Sequence, residues 1–253
     1  MEDLLSILLP ALIAGLLVTA THVPLGTVVL ARGIVFIDIA IAQIAGAGVI
    51  AADLFGFESH GVAVQLSALS AALIGALFLT WTERRWPNYQ EAIIGTVFVL
   101  AASLEIILLA GNPHGGESLK ELLVGQILWV GYTQLLVIAV ATVVICSVWF
   151  GFGEQRVGRT GFYVLFGLAV TLSVQMVGVY LVFASLIIPA LATREARSYR
   201  LAKAYAVGAI GYAAGLIVSV LTDLPTGAVI VWCMALAGIT FSALETGRAT
   251  STS

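Results

Sequence analysis

An all-α polytopic membrane protein with about eight or nine spans is the fold class this sequence predicts. Three observations carry that prediction. The residues are 60% hydrophobic and only 10% charged, against about 25% charged in an ordinary soluble domain. Mean hydropathy is +1.08 over 253 residues, more apolar side chain than an aqueous core of that size can bury, so lipid must be the solvent. Finally, apolar runs of span length recur along the whole chain, separated by short polar breaks.

The runs fall at 3–31, 33–52, 62–81, 91–110, 126–149, 161–177, 178–192, 204–221 and 226–244. The first is too long for a straight span, and Pro24 with Gly26 predicts a bend or break there. Its acidic start, MEDLL, is unlike a basic secretory leader, so a retained first span is expected. The sixth and seventh runs are short and almost continuous, as two half-helices joined within the membrane would be. No soluble domain or linker interrupts the pattern. A single membrane domain over 1–253 is expected, with a disordered tail at about 246–253. Cys146 and Cys233 lie far apart in apolar runs and read as small buried hydrophobes rather than a disulfide or metal pair.

Charge sets orientation. Arg32, Arg84, Arg85, Arg156, Arg159, Arg194, Arg197, Arg200, Lys203 and Arg248 fall at alternate breaks on one side, and Lys120 alone falls on the other. By the positive-inside rule the N-terminus is then outside and the C-terminus cytoplasmic. Trp81, Trp86, Tyr89 and Trp149 sit where interfacial anchors are expected at the cytoplasmic ends.

Against this background the stretch RGIVFIDIAIAQIAG (32–46) stands out for a carboxylate and an amide among apolar residues. If Arg32 marks the start of the second span, Asp38 is carried about 9 Å inward and Gln43 about 7.5 Å further. An ionisable group at that depth faces a pathway, an ion or a partner helix; hydrogen bonding to a neighbour for packing alone is the alternative. Glu105 lies deep in the fourth run and poses the same choice. Gly46, Gly48, Gly208, Gly211 and Gly215 suit close helix–helix packing.

Five stretches together resemble a known family. They are VVLARGIVFIDIAIAQIAGAGV (28–49), EAIIGTVFVLAASL (91–104), LLVGQILWV (122–130), VGVYLVFASLIIPALATR (177–194) and SVLTDLPTGAVIV (219–231). In that order the chain resembles the transmembrane subunit of zinc/manganese/iron ABC importers, a type II importer-like permease. The resemblance implies a homodimer with its pathway on the twofold axis, in the bacterial inner membrane. It also implies cytoplasmic ATP-binding subunits and an extracytoplasmic metal-binding protein. The divalent metal ion would be cargo rather than a bound cofactor, and no nucleic acid is involved. The chain has no G-x-x-x-x-G-K-[ST] motif, so hydrolysis is expected in the partner and no catalysis here.

The resemblance also names site residues. The family carries a His four residues after its Asp, whereas Gln43 follows Asp38 by five. On an ideal helix five residues separate the two by about 140°. An ungapped register sets Phe36, Gln43 and Gly48 on the family's aromatic, His and Gly, and is the simpler one. Alternatively, a π-bulge after Asp38 would return both groups to one face. Gln offers an oxygen where His offers a nitrogen, which shifts preference from zinc toward harder ions such as manganese. His22, near the expected break in the first span, is a candidate compensating ligand or a structural histidine. Asp223 in TDLPTG is a pathway candidate or the N-cap of the last helix.

In the loop GNPHGGESLKEL (111–122), His114 and Glu117 could meet an incoming ion, or the loop is a plain solvated turn. His60 with Asp53 and Glu58 presents the same choice. Arg194, Arg197, Arg200 and Lys203 recur at three-residue spacing, one helical stripe, which the resemblance makes the element coupling to the ATPase. Competing functions are a permease for siderophore, haem or cobalamin, and an ion-coupled secondary transporter. A membrane-embedded enzyme has no motif to support it.

Overall fold

Pro24 removes the N–H that would have bonded the Ala20 carbonyl one turn earlier, yet the first helix runs through it. That helix, α1 (Glu2–Arg32), is continuous, so the expected break does not occur. The freed Ala20 oxygen accepts the Tyr205 hydroxyl at 3.1 Å and the Cys146 thiol at 3.6 Å. Gly26 lies against the Leu186 carbonyl, which a Cβ would approach to 2.0 Å. Neighbouring helices therefore satisfy what the proline disrupts, and the span stays intact.

The computed structural model describes residues 2–57, 61–113, 115–196 and 198–250. After α1 come α2 (Ile37–Leu54), α3 (Val62–Arg85), α4 (Gln90–Leu109), α5 (Gly115–Val124), α6 (Tyr132–Val177), α7 (Val179–Ala192), α8 (Arg200–Thr222) and α9 (Thr226–Thr250). Short 3-10 turns at Pro87–Tyr89 and Ile127–Trp129 precede α4 and α6. No strand occurs among the described residues. Among the described residues seven helices are long and apolar enough to cross a membrane, and Val179–Ala192 is a shorter apolar helix.

The helix α6 is two arms. Gly153 (φ 70°) and Gly158 (φ 64°) take a backbone conformation that favours glycine, and they turn the chain between 132–152 and 159–177. The second arm folds back far enough for Trp149 and Phe162 rings to lie 6.1 Å apart. Trp149 is thereby buried, a core residue rather than the expected interfacial anchor. Trp81, Trp86 and Tyr89 are exposed, as anchors should be.

The second arm and α7 are separated at Gly178 (φ 81°, ψ 162°), matching the expected joined half-helices. Gly178 presses on the end of α5: a Cβ there would come within 2.4 Å of the Gly125 nitrogen. A Cβ on Gly227 at the start of α9 would likewise approach the Val124 carbonyl to 2.7 Å. At this junction α5, the α6–α7 break and α9 meet through bare backbone.

Helix pairs α2–α3, α2–α4, α1–α7, α7–α9 and α8–α9 form the main packing seams. Without a hydrophobic drive between helices in lipid, close backbone approach must supply the contact. The glycines singled out in the sequence do this. Cβ atoms at Gly48, Gly208, Gly211 and Gly215 would meet Ala71 at 2.9 Å, Thr19 at 2.7 Å, Met234 at 2.6 Å and Ile230 at 2.4 Å. Cys146 and Cys233 are free thiols.

Candidate functional site

The start of α2 differs from the sequence expectation. Arg32 closes α1, a turn through Gly33 (φ 67°) follows, and α2 begins only at Ile37. Asp38 thus sits in the first turn of α2, not six helical residues inside it. A carboxylate there faces the free N–H groups and positive dipole end of the helix. The side chain is buried, and Glu91 of α4 stands close enough to interact with it electrostatically. Glu91 in turn accepts the Phe36 N–H at 3.4 Å, tying the α1–α2 turn to the start of α4.

From Ile37 to Leu54 the helix is regular α. The π-bulge is therefore absent, and Asp38 and Gln43 point to different sides. Gln43 is buried from bulk solvent but lines a cavity of about 630 Å³. Ile39 precedes it on the same face, and Phe98 and Ala102 of α4, Leu119 and Leu123 of α5, and Tyr180 of α7 complete much of the wall. Gln43, Tyr180 and Trp232 are the lining residues with polar side-chain atoms, and the rest of the lining is apolar.

The other sequence candidates fall elsewhere. His22 is fully buried in α1: Nδ1 lies 3.0 Å from both the Val18 carbonyl and the Thr21 hydroxyl, and Nε2 has no partner. Asp223 ends α8 in the left-handed region (φ 55°) and is exposed. In the same turn the Ser219 hydroxyl donates to the Leu224 carbonyl at 2.8 Å and lies 2.7 Å from the Thr226 hydroxyl. An aspartate tolerates this conformation better than most side chains. Glu105 lies in the α2–α4 seam, buried and unpaired. Among the described residues no group of three or more His, Cys, Asp and Glu side chains converges.

Two loop readings are corrected. The segment expected as a solvated turn at 111–122 contains α5, with Glu117 in its first turn. The Gly-Gly pair starts this helix, and Leu119, Leu122 and Leu123 form the apolar spacing that could have revealed it. His114, Glu58 and His60 lie outside the described residues. Nor do Arg194, Arg197, Arg200 and Lys203 form one helical stripe. Residues 193–196 turn, Tyr199 reverses the chain at φ 52°, and α8 starts at Arg200. Arg194 pairs with Glu195 at 3.2 Å, Lys203 pairs with Glu245 of α9, and Arg197 lies outside the described residues.

Sequence reasoning missed a polar cluster at the arginine-rich end. Gln90 donates to the Leu79 carbonyl at 3.0 Å and to Tyr163 at 3.2 Å, and accepts from Thr82 at 3.0 Å. Beside it Arg159 pairs with Glu83 at 3.3 Å and Arg32 with Glu154 at 3.0 Å. Arg32 also lies 4.5 Å over the Phe162 ring. These contacts hold the turn between the α6 arms to the ends of α1 and α3. Only the polar start of the fourth span, Tyr89-Gln90-Glu91, hinted at them.

Apolar helices of span length around a cavity lined from both halves of the sequence define a multi-pass membrane protein. Comparison with known proteins is specific. The chain matches the ABC 3 transport family over residues 5–155 and again over 154–245, and it belongs to that family. It is 24% identical over 250 residues to the high-affinity zinc uptake system membrane protein ZnuB of Haemophilus influenzae, covering 90% of this chain and 94% of that one. It is 28% identical over 248 residues to the manganese transport system membrane protein MntC of Halalkalibacterium halodurans, covering 89% and 83%. In fold it is similar to PsaBC from Streptococcus pneumoniae in complex with Fab, at a TM-score of 0.75 and 21% identity over 96% of this chain and 93% of that one. An inward-facing metal-chelate type ABC transporter is also similar, at 0.68 and 17%, over 97% and 86%.

Proposed function

We propose that the chain is the transmembrane subunit of an ATP-driven importer for a divalent transition-metal ion, the cation passing the cavity at Gln43. The observation that carries this is Gln43 itself. It lines the cavity and occupies, in the ungapped register, the position of the family's His. Membership of the ABC 3 transport family and relatives named for zinc and manganese support the cargo class. Two copies would face each other across the cavity's open side, with ATP-binding subunits below and a metal-binding protein above. ATP hydrolysis would reside in the partner subunits. The exposed turn carrying Arg194 and Tyr199, with Arg197, is the proposed contact to the ATPase. The membrane is the bacterial inner membrane, with the arginine-rich end cytoplasmic and the N-terminus outside.

A permease for a metal chelate is the second reading. The apolar lining and the likeness to a metal-chelate type transporter favour it, although a likeness at 17% identity speaks for fold alone. The two separate in one assay: uptake by proteoliposomes holding the permease, its ATPase and its binding protein. ATP-dependent accumulation of Zn2+, Mn2+ or Fe2+ is expected. Accumulation of a siderophore or cobalamin with no free-ion uptake would replace the first reading by the second.

A further inference from the structure

Glu105 is 1% exposed on α4, and neither of its carboxylate oxygens meets a hydrogen-bond donor. Its Oε1 lies so close to α2 that a Cβ on Gly46 would approach it to 2.2 Å, with Leu122 of α5 closing on the same point at 3.6 Å. All three helices line the cavity immediately beside this contact. Ala102 and Ile106 flank Glu105 on α4, Leu119 and Leu123 flank Leu122 on α5, and Gln43 lies one turn before Gly46 on α2. The acid therefore stands one side chain behind the cavity wall, one helical turn from Gln43 and under the apolar face of α5.

Packing does not explain this acid. A carboxylate kept for stability would have a cation or N–H groups around it, and a leucine would fill the same seam without desolvating an ionisable group. The absence of a side chain at Gly46 is what admits the carboxylate at all. Its cover is also the element bounded by glycines: α5 starts at Gly115-Gly116 and ends at Gly125, whose φ is 70°.

Resting on the metal-importer reading above, we propose that Glu105 is an anionic ligand for the transported cation, exposed to the cavity when α5 shifts and acting beside the Gln43 carbonyl. A carboxylate and an amide oxygen make an oxygen-donor station, which suits harder divalent ions such as Mn2+ better than a thiolate- or imidazole-rich site would. It also gives the cavity the negative charge that Gln43 lacks relative to a charged ligand. Gly46 keeps the carboxylate within reach of both α2 and α5.

The test uses the permease with its ATPase in lipid nanodiscs, without nucleotide, titrated with Mn2+ and followed by loss of the free-ion EPR signal. Glu105→Gln keeps shape and removes charge, so affinity for Mn2+ should fall about tenfold or more, with the melting temperature unchanged or raised. Glu105→Asp should retain an intermediate affinity. Binding by Glu105→Gln within twofold of wild type overturns the proposal, as does a loss of binding that tracks a loss of thermal stability. Wild-type uptake of Mn2+, Zn2+ and Fe2+ is measured separately. Uptake present with Glu105→Gln binding unchanged defeats this inference alone, whereas no uptake of any of the three defeats the importer reading.

Discussion

Around the turn joining the α6 arms, Arg32 meets Glu154 and Arg159 meets Glu83, and Gln90 satisfies three neighbours. In the α2–α4 seam Glu105 has no such partner, and Gln43 opens onto a largely apolar cavity. Both regions carry polar groups within an apolar bundle. The first answers its polar groups with ion pairs and the hydrogen bonds of Gln90, and so ties helix ends together. The second leaves them unanswered, which in a membrane interior is the mark of a group waiting for a ligand. An unpaired buried polar group is not by itself a site, since Asp38 and the His22 Nε2 are unpaired as well; Glu105 joins that lack of a partner to a place beside the cavity.

The strongest way to break this contrast is to collapse the cavity's rim. Gly178→Ala adds a Cβ where the Gly125 backbone already lies, at a φ of 81°. It should destabilise the fold by about 3 kcal/mol or more, visible as loss of a monodisperse peak in detergent and a lower melting temperature. Next, Gln43→Leu removes a polar atom from the cavity without changing its walls. Metal uptake should fall about tenfold, equivalent to ~1.4 kcal/mol, while thermal stability stays at the wild-type value. Gln43→His should restore uptake and move preference toward Zn2+ over Mn2+ in a competition assay.

At the paired end effects should be smaller. Arg159→Glu places two acids together and should cost about 1 kcal/mol or less, since the Arg159 side chain is 45% exposed. Adding Glu83→Arg should recover most of that loss in a double-mutant cycle of melting temperatures. The smallest change in uptake is expected from Asp38→Asn. An Asn in the first turn of α2 keeps the shape of a side chain whose oxygens have no hydrogen-bond partner and removes only its charge at the positive end of the helix, so stability should shift by about 1 kcal/mol. Uptake should remain within about threefold of wild type, a difference of well under 1.4 kcal/mol.

Much of the architecture was legible in the sequence because lipid imposes a length on each span. The apolar runs match the helices to within about six residues at each end, the glycines sit at the expected close contacts, and the break at Gly178 lies where two runs nearly fused. What was not legible depended on tertiary partners. Nothing near Pro24 announces that Tyr205, far along the chain, will satisfy Ala20. The position of Asp38 along its helix was misread because a short turn at Gly33 is invisible within a run of apolar residues. The helix α5 was hidden by the Asn-Pro pair that precedes it and the Gly-Gly pair that starts it. At the site, Gln43 was found through the resemblance, and Glu105 through its depth. Gly46 as the seat of Glu105 required the structure, since it is a contact between helices far apart in sequence.

The most direct test of the account is ATP-driven uptake of Mn2+, Zn2+ and Fe2+ by the complete reconstituted assembly, comparing wild type with Gln43→Leu. The account predicts that wild type accumulates at least one of these ions only with ATP, and that Gln43→Leu loses most of that uptake while still assembling with its ATPase. Equal uptake by the two proteins would contradict a pathway at Gln43, and no uptake of any ion by wild type would contradict the metal cargo itself.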